Sequence, residues 1–267
     1  MAKLPYADKE LGQHFLRDQK VIEAITSNFK EKADIIIEVG PGPAILSQAL
    51  SKQGIPYYFI EKDERFKEQL ETLIPKEFQY YEDALKFDWN KFIIDKNLDQ
   101  KKIWLVSNLP YNVSTPLFLS FLKISQIKFM TLMFQKEVGE KTYLKQNDKK
   151  QMGSLLSLSL NYFHTKLLLK VNPGSFSPPP KVKSVVVSYS RKDFPTIKIK
   201  DFKNFESFLR ILFSQRRKQI GSVLKQVLSV EEKENYFSLA EISSQRRSES
   251  LSLEEVYSLY KAFGEMK

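Results

Sequence analysis

The sequence of 267 residues contains no cysteine and only two histidines, His14 and His164. The absence of cysteine excludes disulfides, thiolate zinc sites and cysteine nucleophiles. Two histidines so far apart in the chain also make a histidine metal site or a Ser-His-Asp triad a poor hypothesis. We therefore predict a chemistry that uses neither a bound metal ion nor a histidine-centred nucleophile.

Long hydrophobic runs are absent as well. Runs such as Tyr57–Ile60 are far shorter than the roughly 20 apolar residues that a membrane-spanning helix needs. The first ten residues mix lysine, aspartate and proline and contain no apolar signal region. We expect a cytoplasmic protein without a membrane partner.

Positive charge is abundant. The chain has 42 lysines and arginines against 32 aspartates and glutamates, which gives a net charge of +10 and a pI near 9.4. This excess favours a polyanionic partner such as nucleic acid, although a lysine-rich composition alone would give the same number. Hydrophobic residues at 42% and aromatic residues at 13% indicate a globular chain with a substantial core.

Short apolar strands alternate with amphipathic helices over the first two-thirds of the chain, which predicts a doubly wound, mainly parallel α/β sheet. Two later strands, Phe163–Leu169 and Ser184–Tyr189, lack a long helix between them and predict an antiparallel hairpin at one edge. After Arg191 the pattern becomes helical. The expected strands are Ile35–Val39, Tyr57–Ile60, Phe78–Tyr81, Ile103–Val106 and Phe129–Phe134, and the expected helices are Ala44–Lys52, Glu64–Leu73 and Thr115–Lys123.

These patterns predict two domains. Residues 1–190 form the α/β domain, in which residues 1–33 contribute a loop and a helix capped by Asp18. Residues 191–267 form a small helical domain, which begins after the polar stretch near Arg191.

The tetrapeptide Asn108-Leu109-Pro110-Tyr111 follows the apolar strand Ile103–Val106, at the strand end where open α/β sheets bind ligands. Asn108 offers a side-chain carbonyl, Leu109 a backbone carbonyl and Tyr111 a flat ring. Two acceptors and a ring suit a planar base with an exocyclic amine, because each acceptor takes one N–H and the base stacks on the ring. The alternative is an ordinary strand-ending turn.

A glycine-rich turn follows the first strand of the sheet. Gly40 and Gly42 stand directly after Ile35–Val39, in the nucleotide-binding position of a doubly wound sheet. The dinucleotide pattern would place a third glycine where Ile45 stands, and Pro43 removes an N–H that a pyrophosphate would use. The turn therefore disfavours nicotinamide and flavin cofactors.

Acidic residues end three consecutive strands, at Glu38, Glu61 and Asp83. Three carboxylates would repel a pyrophosphate, but they would favour a ligand with cationic groups, hydroxyls and an adenine amine. S-adenosylmethionine carries all of these. Glu61 is spaced to accept the ribose hydroxyls and Asp83 to accept the adenine amine. Each carboxylate alone could equally be a solvated strand end.

Several motifs in order resemble the ribosomal RNA adenine N6,N6-dimethyltransferases, the bacterial small-subunit enzymes linked to kasugamycin sensitivity. The resemblance extends from about Leu11 to the C-terminus, and its most specific parts are the Asn-Leu-Pro-Tyr-Asn and Pro-Pro-Pro-Lys-Val motifs. The motifs are Gln13–Leu16, Glu38–Gly42, Asp83–Ala84, Asn108–Pro116, Gln135–Val138, Phe176–Val182, Phe213–Lys218 and Leu251–Glu255.

This resemblance implies a Rossmann-like class I methyltransferase sheet with a helical C-terminal domain that binds RNA. It implies S-adenosyl-L-methionine as cofactor and, as substrate, two adjacent adenines in the 3′-terminal hairpin of 16S rRNA within a small-subunit precursor. We expect a monomer. The implied cofactor-binding residues are His14, Leu16, Gly40, Glu61, Asp83 and Asn108, and the implied catalytic residues are Asn108, Leu109, Tyr111 and Phe176, with Tyr111 and Phe176 enclosing the flipped adenine.

Four basic clusters are candidate contacts for RNA phosphates, although each alone is more often a solvated face. Arg216–Lys218 is the strongest, because it lies in the helical region beside apolar Phe213 and Ile220. The other three are Lys149–Lys150, Lys181 with Lys183, and Arg246–Arg247.

Three other functions stay open. A resistance methyltransferase that acts on large-subunit rRNA would share the cofactor turn and the Asn-x-Pro-Tyr chemistry. A DNA adenine methyltransferase usually has proline where Leu109 stands, together with a separate target-recognition domain. A binding protein that kept the fold but lost the chemistry would bind the cofactor without transferring methyl groups.

Overall fold

A computed structural model of the protein describes residues 13–145, 148 and 151–265. Residues 1–12, which begin the predicted N-terminal loop, and the basic pair Lys149–Lys150 lie outside these residues. Within the described part of the chain, no helix is both long and apolar enough to cross a membrane.

Seven strands form one sheet in the order β4-β3-β2-β5-β6-β9-β7, and the two short strands β1 and β8 form a separate antiparallel pair. The five strands β4, β3, β2, β5 and β6 run parallel to one another. Strand β9 runs antiparallel to β6 and lies next to β7 at the edge. The predicted fold class is therefore confirmed. The strands are β1 Phe15–Leu16, β2 Ile35–Val39, β3 Tyr57–Ile60, β4 Gln79–Tyr80, β5 Ile103–Asn108, β6 Ile127–Gln135, β7 Phe163–Val171, β8 Phe176–Ser177 and β9 Ser184–Arg191.

Eleven α-helices lie in the described part of the chain, and two of them, Ser47–Leu50 and Lys67–Glu71, are shorter than their sequence patterns indicated. Helix α1 begins after Asp18, whose carboxylate accepts the N–H groups of Lys20 and Val21 as predicted. The helices are α1 Gln19–Ser27, α2 Ser47–Leu50, α3 Lys67–Glu71, α4 Trp89–Asp95, α5 Ser114–Leu122, α6 Lys136–Gly139, α7 Ser154–Tyr162, α8 Phe202–Leu212, α9 Ile220–Val223, α10 Val230–Ala240 and α11 Leu253–Glu265.

The central strands β2 and β5 are apolar on both faces because the sheet is covered on both sides. All five residues of β2 are buried, and the indole of Trp104 on β5 donates to Thr131 on β6 at 2.9 Å. This rigid centre fixes the positions of the two strand ends that carry Glu38 and Asn108.

The helix after β2 starts later than predicted. We expected Ala44–Lys52, but α2 covers only Ser47–Leu50, followed by one 3-10 turn. Pro43 has no N–H to donate, and Ala44 adopts a left-handed conformation with φ of 59°. A right-handed helix can therefore begin only after Ala44. The residues between Gly42 and Ser47 form an extended turn instead of a helix end that would hold a phosphate.

The chain divides into two compact units that differ from the predicted domains at one segment. The first unit contains residues 1–140 and 164–191, and the second contains residues 141–163 and 192–267. Residues 141–163, which we predicted for the α/β domain, group by contacts with the second unit, which contains α7. The phenol of Tyr257 on α11 donates to the carbonyl of Ser157 on α7 at 3.2 Å.

The helical unit has its own core. Phe205, Phe208, Leu209 and Leu212 form an apolar stripe that is buried on α8. Helix α10 begins with a capping box between Ser229 and Glu232, and the phenol of Tyr236 donates to the carbonyl of Leu259 at 2.7 Å.

Candidate active site

One cavity in the α/β unit lies beyond the carboxyl ends of β2, β3 and β5 and beside the loop that follows β4. Open α/β sheets bind their ligands at this edge. The segment that contains β1 and the turn after β5 complete its walls. Eight of the nine predicted site residues line the cavity: His14, Leu16, Gly40, Glu61, Asp83, Asn108, Leu109 and Tyr111.

Glu61 organises the glycine turn. Gly40 and Gly42 have φ values of 70° and 52°, a conformation that favours glycine. The Glu61 carboxylate accepts the N–H of Gly42 at 2.9 Å and the N–H of Asp63 at 2.7 Å. Burial raises the pKa of Glu61, and these N–H bonds act in the opposite direction. The carboxylate therefore reaches the cavity from a fixed position and keeps lone pairs for a ligand.

Glu38 is an interior carboxyl group that connects three elements. Its Oε2 accepts the hydroxyl of Ser47 on α2 at 2.8 Å and also the phenol of Tyr57 on β3. Glu38 is 1% exposed, and burial raises its pKa to about 7. A group with this pKa is partly protonated near neutral pH, so Glu38 contributes less negative charge to the cavity than its sequence position suggested.

Asp83 already has an ionic partner. Its Oδ2 lies 2.9 Å from Nζ of Lys62, and its Oδ1 accepts the N–H of Leu85 at 3.0 Å. The hydrogen bond from Lys62 holds the pKa of Asp83 below its usual value. Asp83 is therefore a charged acceptor at the cavity edge.

Asn108 is tied to the N-terminal segment. Its Nδ2 donates to the backbone carbonyl of His14 at 3.0 Å. Because the amide nitrogen is used in this way, the side-chain Oδ1 is the end that remains for an external donor. The following residue, Leu109, is fixed by a 3.2 Å bond from its N–H to the carbonyl of Met133 on β6.

Tyr111 is held at its tip. Its phenol lies 2.6 Å from Oγ of Ser184, which is fully buried at the start of β9. The ring of His14 lies against the Tyr111 ring, with 5.3 Å between centroids and a tilt of 33°. Nδ1 of His14 donates to the carbonyl of Pro178 at 2.9 Å, since a carbonyl can only accept. The Tyr111 ring therefore has a fixed orientation.

The family model for "Ribosomal RNA adenine dimethylase" matches residues 6–265 of this chain. The chain belongs to the ribosomal RNA adenine dimethylase family. Curated relatives support this: ribosomal RNA small subunit methyltransferase A of Clostridium botulinum (strain Kyoto / Type A2) is 38% identical over 93% of this chain and 90% of its own length. The protein of the same name from Clostridium acetobutylicum is 37% identical over 92% and 90%.

Solved structures show the same dimethylase fold. A dimethyladenosine transferase from Plasmodium falciparum aligns with a TM-score of 0.72 and 23% identity over 94% of this chain and 98% of its own. The 23S rRNA methyltransferase ErmE aligns with a TM-score of 0.66 and 20% identity over 94% and 99%. The predicted enzyme class, an rRNA adenine dimethyltransferase, is confirmed, and family and fold together imply the use of S-adenosylmethionine.

Phe176 is the predicted site residue of this dimethylase that does not line the cavity. It pairs with Leu16 between β8 and β1 and is 3% exposed within the hydrophobic core. The sequence motif placed an aromatic residue before the Pro178–Pro180 run, but strand pairing turns that residue into the core. The ring that lies against Tyr111 in the structure is that of His14.

Sequence reasoning missed several residues that shape the dimethylase site. Ser184 orients Tyr111, and Lys62 pairs with Asp83. Asp63 accepts hydrogen bonds from Gln13 at 2.7 Å and from Arg65, which connects the N-terminal segment to the loop after β3. Except for the pair of Asp63 and Arg65, these contacts join residues that are distant in sequence, so no local spacing indicated them.

The polar side chains that line the cavity fit the cofactor that the dimethylase family implies. Among the described residues that line it, Lys62 is the one lysine, and there is no arginine. A pyrophosphate would meet a single lysine here, which is already paired with Asp83, whereas the carboxylates of Glu61 and Asp83 can accept hydroxyl and amine donors. The glycine turn allows close approach to the backbone, because a Cβ at Gly40 would meet no atom within 4 Å.

Proposed function

We propose that this protein uses S-adenosyl-L-methionine to dimethylate N6 of two adjacent adenines in the 3′-terminal hairpin of 16S rRNA during small-subunit biogenesis. The names of the curated relatives support a small-subunit substrate. The observation that carries the chemistry is the hydrogen bond from Asn108 to His14, because it leaves the Asn108 Oδ1 available for an amine.

The cofactor-binding roles follow from the polar groups that line the cavity. Glu61 accepts the ribose hydroxyls, and Asp83 accepts the adenine amine of the cofactor. Gly40 lets the methionine part approach the backbone closely, while His14 and Leu16 cover the bound molecule from the N-terminal segment. When it is bound, S-adenosylmethionine supplies an electrophilic methyl group.

The catalytic residues act on the amine of the target base. Adenine N6 is a poor nucleophile because its lone pair is delocalised into the ring. Asn108 Oδ1 and the Leu109 carbonyl accept hydrogen bonds from its two N–H groups and so withdraw the lone pair from conjugation, without a strong base. Each methyl transfer replaces one N–H, and the displaced proton leaves to solvent water. Most of the catalytic effect is positioning.

The target base leaves the RNA stack before it reacts. Extrusion costs a few kcal/mol. Stacking on Tyr111 returns roughly 1–3 kcal/mol, the usual value for one base on an aromatic ring. The family motif assigns Phe176 to the second face, and that role requires the ring to leave the core position described above.

The helical unit is the proposed RNA-binding part. Arg217, Lys218 and Arg247 are exposed there, on two loops that run side by side through a bridge between Gln219 and Arg247. The partner is a small-subunit precursor, and we propose a cytoplasmic monomer that acts on it.

A product-mapping assay tests the function. The protein is incubated with labelled S-adenosylmethionine and undermethylated small subunits, large subunits or DNA in parallel, and the products are mapped by mass spectrometry. We expect dimethyladenosine at two adjacent positions of 16S rRNA. Label in 23S rRNA would support the resistance-type methyltransferase, label in DNA would support a DNA adenine methyltransferase, and cofactor binding without transfer would support a non-catalytic binding protein.

Asn108→Ala tests the grip on the amine. We expect turnover to fall at least a hundredfold, because one of the two acceptors is lost in the transition state, while cofactor affinity falls much less. Asn90→Ala on the exposed face of α4 is the control and should leave both quantities unchanged. Full activity of the Asn108→Ala enzyme would refute the proposed role.

A further inference from the structure

Lys62 lies where the proposed adenine subsite of the cofactor begins. It follows Glu61 at the end of β3, and the parallel pairing of Phe59 with Gln79 and of Ile60 with Tyr80 brings the loop after β4 beside it. Lys62 Nζ lies 2.9 Å from Asp83 Oδ2, and the two side chains are 63% and 24% exposed. Both residues line the cavity.

The two oxygens of Asp83 are not equivalent. Oδ1 turns back to its own loop and accepts the N–H of Leu85 at 3.0 Å. Oδ2 is therefore the oxygen left for an adenine amine, and it is also the oxygen that Lys62 contacts. A carboxylate oxygen can accept more than one hydrogen bond, but an adjacent ammonium group draws charge from it and occupies part of its approach.

We propose that Lys62 is an affinity-determining residue that acts through Asp83: it competes with the cofactor's adenine amine for Oδ2 and so weakens the binding of both cofactor and demethylated product. This inference rests on the proposed function, in which Asp83 accepts the adenine amine. The long, mostly exposed stem of Lys62 lets the ammonium group move away when adenine enters, at the cost of the ion pair.

The competition has a use in the proposed reaction. Four methyl groups on two adenines require the product to leave and new cofactor to enter between transfers. A site that holds the adenine less tightly releases the product faster and so exchanges it for new cofactor sooner. Because salt screens an exposed ion pair, the competition should weaken as ionic strength rises.

Calorimetric titration with S-adenosylhomocysteine tests the proposal on four proteins: the wild type, Lys62→Met, Asp83→Asn and the double variant. S-adenosylhomocysteine has no net charge at neutral pH, so general attraction to the protein contributes little. At low KCl, Lys62→Met should bind about two- to fivefold more tightly than the wild type, the range expected for an exposed ion pair. At high KCl the difference should shrink, and Lys62→Arg should behave like the wild type at both.

The Asp83→Asn background separates competition from other effects of the substitution. If affinity rises because the new side chain at position 62 contacts the adenine ring, the rise should persist in this background. If it rises because Asp83 is freed from Lys62, the rise should disappear. An unchanged or weaker affinity of Lys62→Met, or a gain that persists in Asp83→Asn, would overturn the proposal while leaving the cofactor assignment intact. If the wild type did not bind, or if Asp83→Asn bound as tightly as the wild type, the proposed adenine subsite itself would be wrong.

Discussion

Ser184 shows how a single buried hydroxyl can set the geometry of a reactive site. It is fully buried at the start of β9, and its contact with the Tyr111 phenol is 2.6 Å long. Burial raises the pKa of Tyr111, so the phenol stays protonated and the bond persists through the neutral range. The orientation of the Tyr111 ring therefore depends on a residue that does not line the cavity.

Ser184→Ala and Tyr111→Phe should each lower kcat/KM on small subunits by about fivefold, the usual effect of one lost hydrogen bond of about 1 kcal/mol. The cofactor Kd should not change. The double variant should be no worse than Tyr111→Phe alone, because both changes remove the same bond.

Ser188→Ala is the matched control on the same strand. Its hydroxyl accepts a bond from Asn28 at 2.9 Å, so the change should reduce stability and leave kcat/KM unaltered. Additive losses in the Ser184 and Tyr111 double variant would exclude the positioning role.

At the scale of single residues, the sequence predicted those whose chemistry is visible in a motif. Glu61 and Asn108 follow buried strands, so topology alone places them at one edge of the sheet. Phe176 lies outside the cavity lining, because β8 pairs with β1 and directs the ring into the core, which its motif does not reveal. Ser184 and Lys62 could not be predicted, because each acts through a partner at the end of another strand.

Glu38 uses its carboxyl group to connect secondary-structure elements. Its bonds to Ser47 and Tyr57 link the ends of β2, α2 and β3 beneath the cavity. The pKa of Glu38 rises from its ordinary value of 4.5 to about 7 in the folded protein, mainly through burial. Between these two values the folded state binds more protons than the unfolded state, so the free energy of unfolding falls as pH rises.

We expect the free energy of unfolding to decrease by a few kcal/mol between pH of about 4.5 and about 7, and to level off above that range. Glu38→Gln keeps an acceptor for Ser47 and Tyr57 but cannot titrate, so it should remove the part of this slope that Glu38 causes. Denaturant unfolding at a series of pH values measures the effect. Burial also raises the pKa of Glu61, so a slope of the same sign remains in the variant. Equal slopes in the two proteins would contradict the prediction.

Periodicity predicted the strands of the sheet and the N-terminal helix closely, because burial on both faces and an Asp cap are local signals. It overestimated α2, where Pro43 and the left-handed Ala44 delay the helix. It also placed residues 141–163 in the α/β domain, whereas their contacts group them with the helical unit. That grouping depends on contacts such as Tyr257 with Ser157, which no pattern within 141–163 encodes.

At the scale of the whole molecule, the net charge of +10 indicates where RNA binds only when the basic side chains that already have protein partners are set aside. Arg246 forms a bidentate pair with Glu255, at 2.6 and 3.1 Å, and Arg216 donates to the carbonyl of Met152 at 3.1 Å. These two arginines hold the helical unit together. The exposed remainder of the two clusters is Arg217, Lys218 and Arg247, which is where we expect RNA phosphates to bind.

Reversing charge in this exposed set gives the sharpest test of RNA binding. Arg217→Glu with Lys218→Glu should weaken binding to small-subunit RNA and flatten the plot of log K against log salt by about 1.5, since each lost phosphate contact removes about 0.7–0.9 from the slope. Lys30→Glu with Lys32→Glu makes the same change in net charge at exposed positions before β2, beyond the amino ends of the parallel strands. A shift in the slope for the first pair alone would locate the contact. Equal shifts for both pairs would show that net charge, rather than this surface, attracts the RNA.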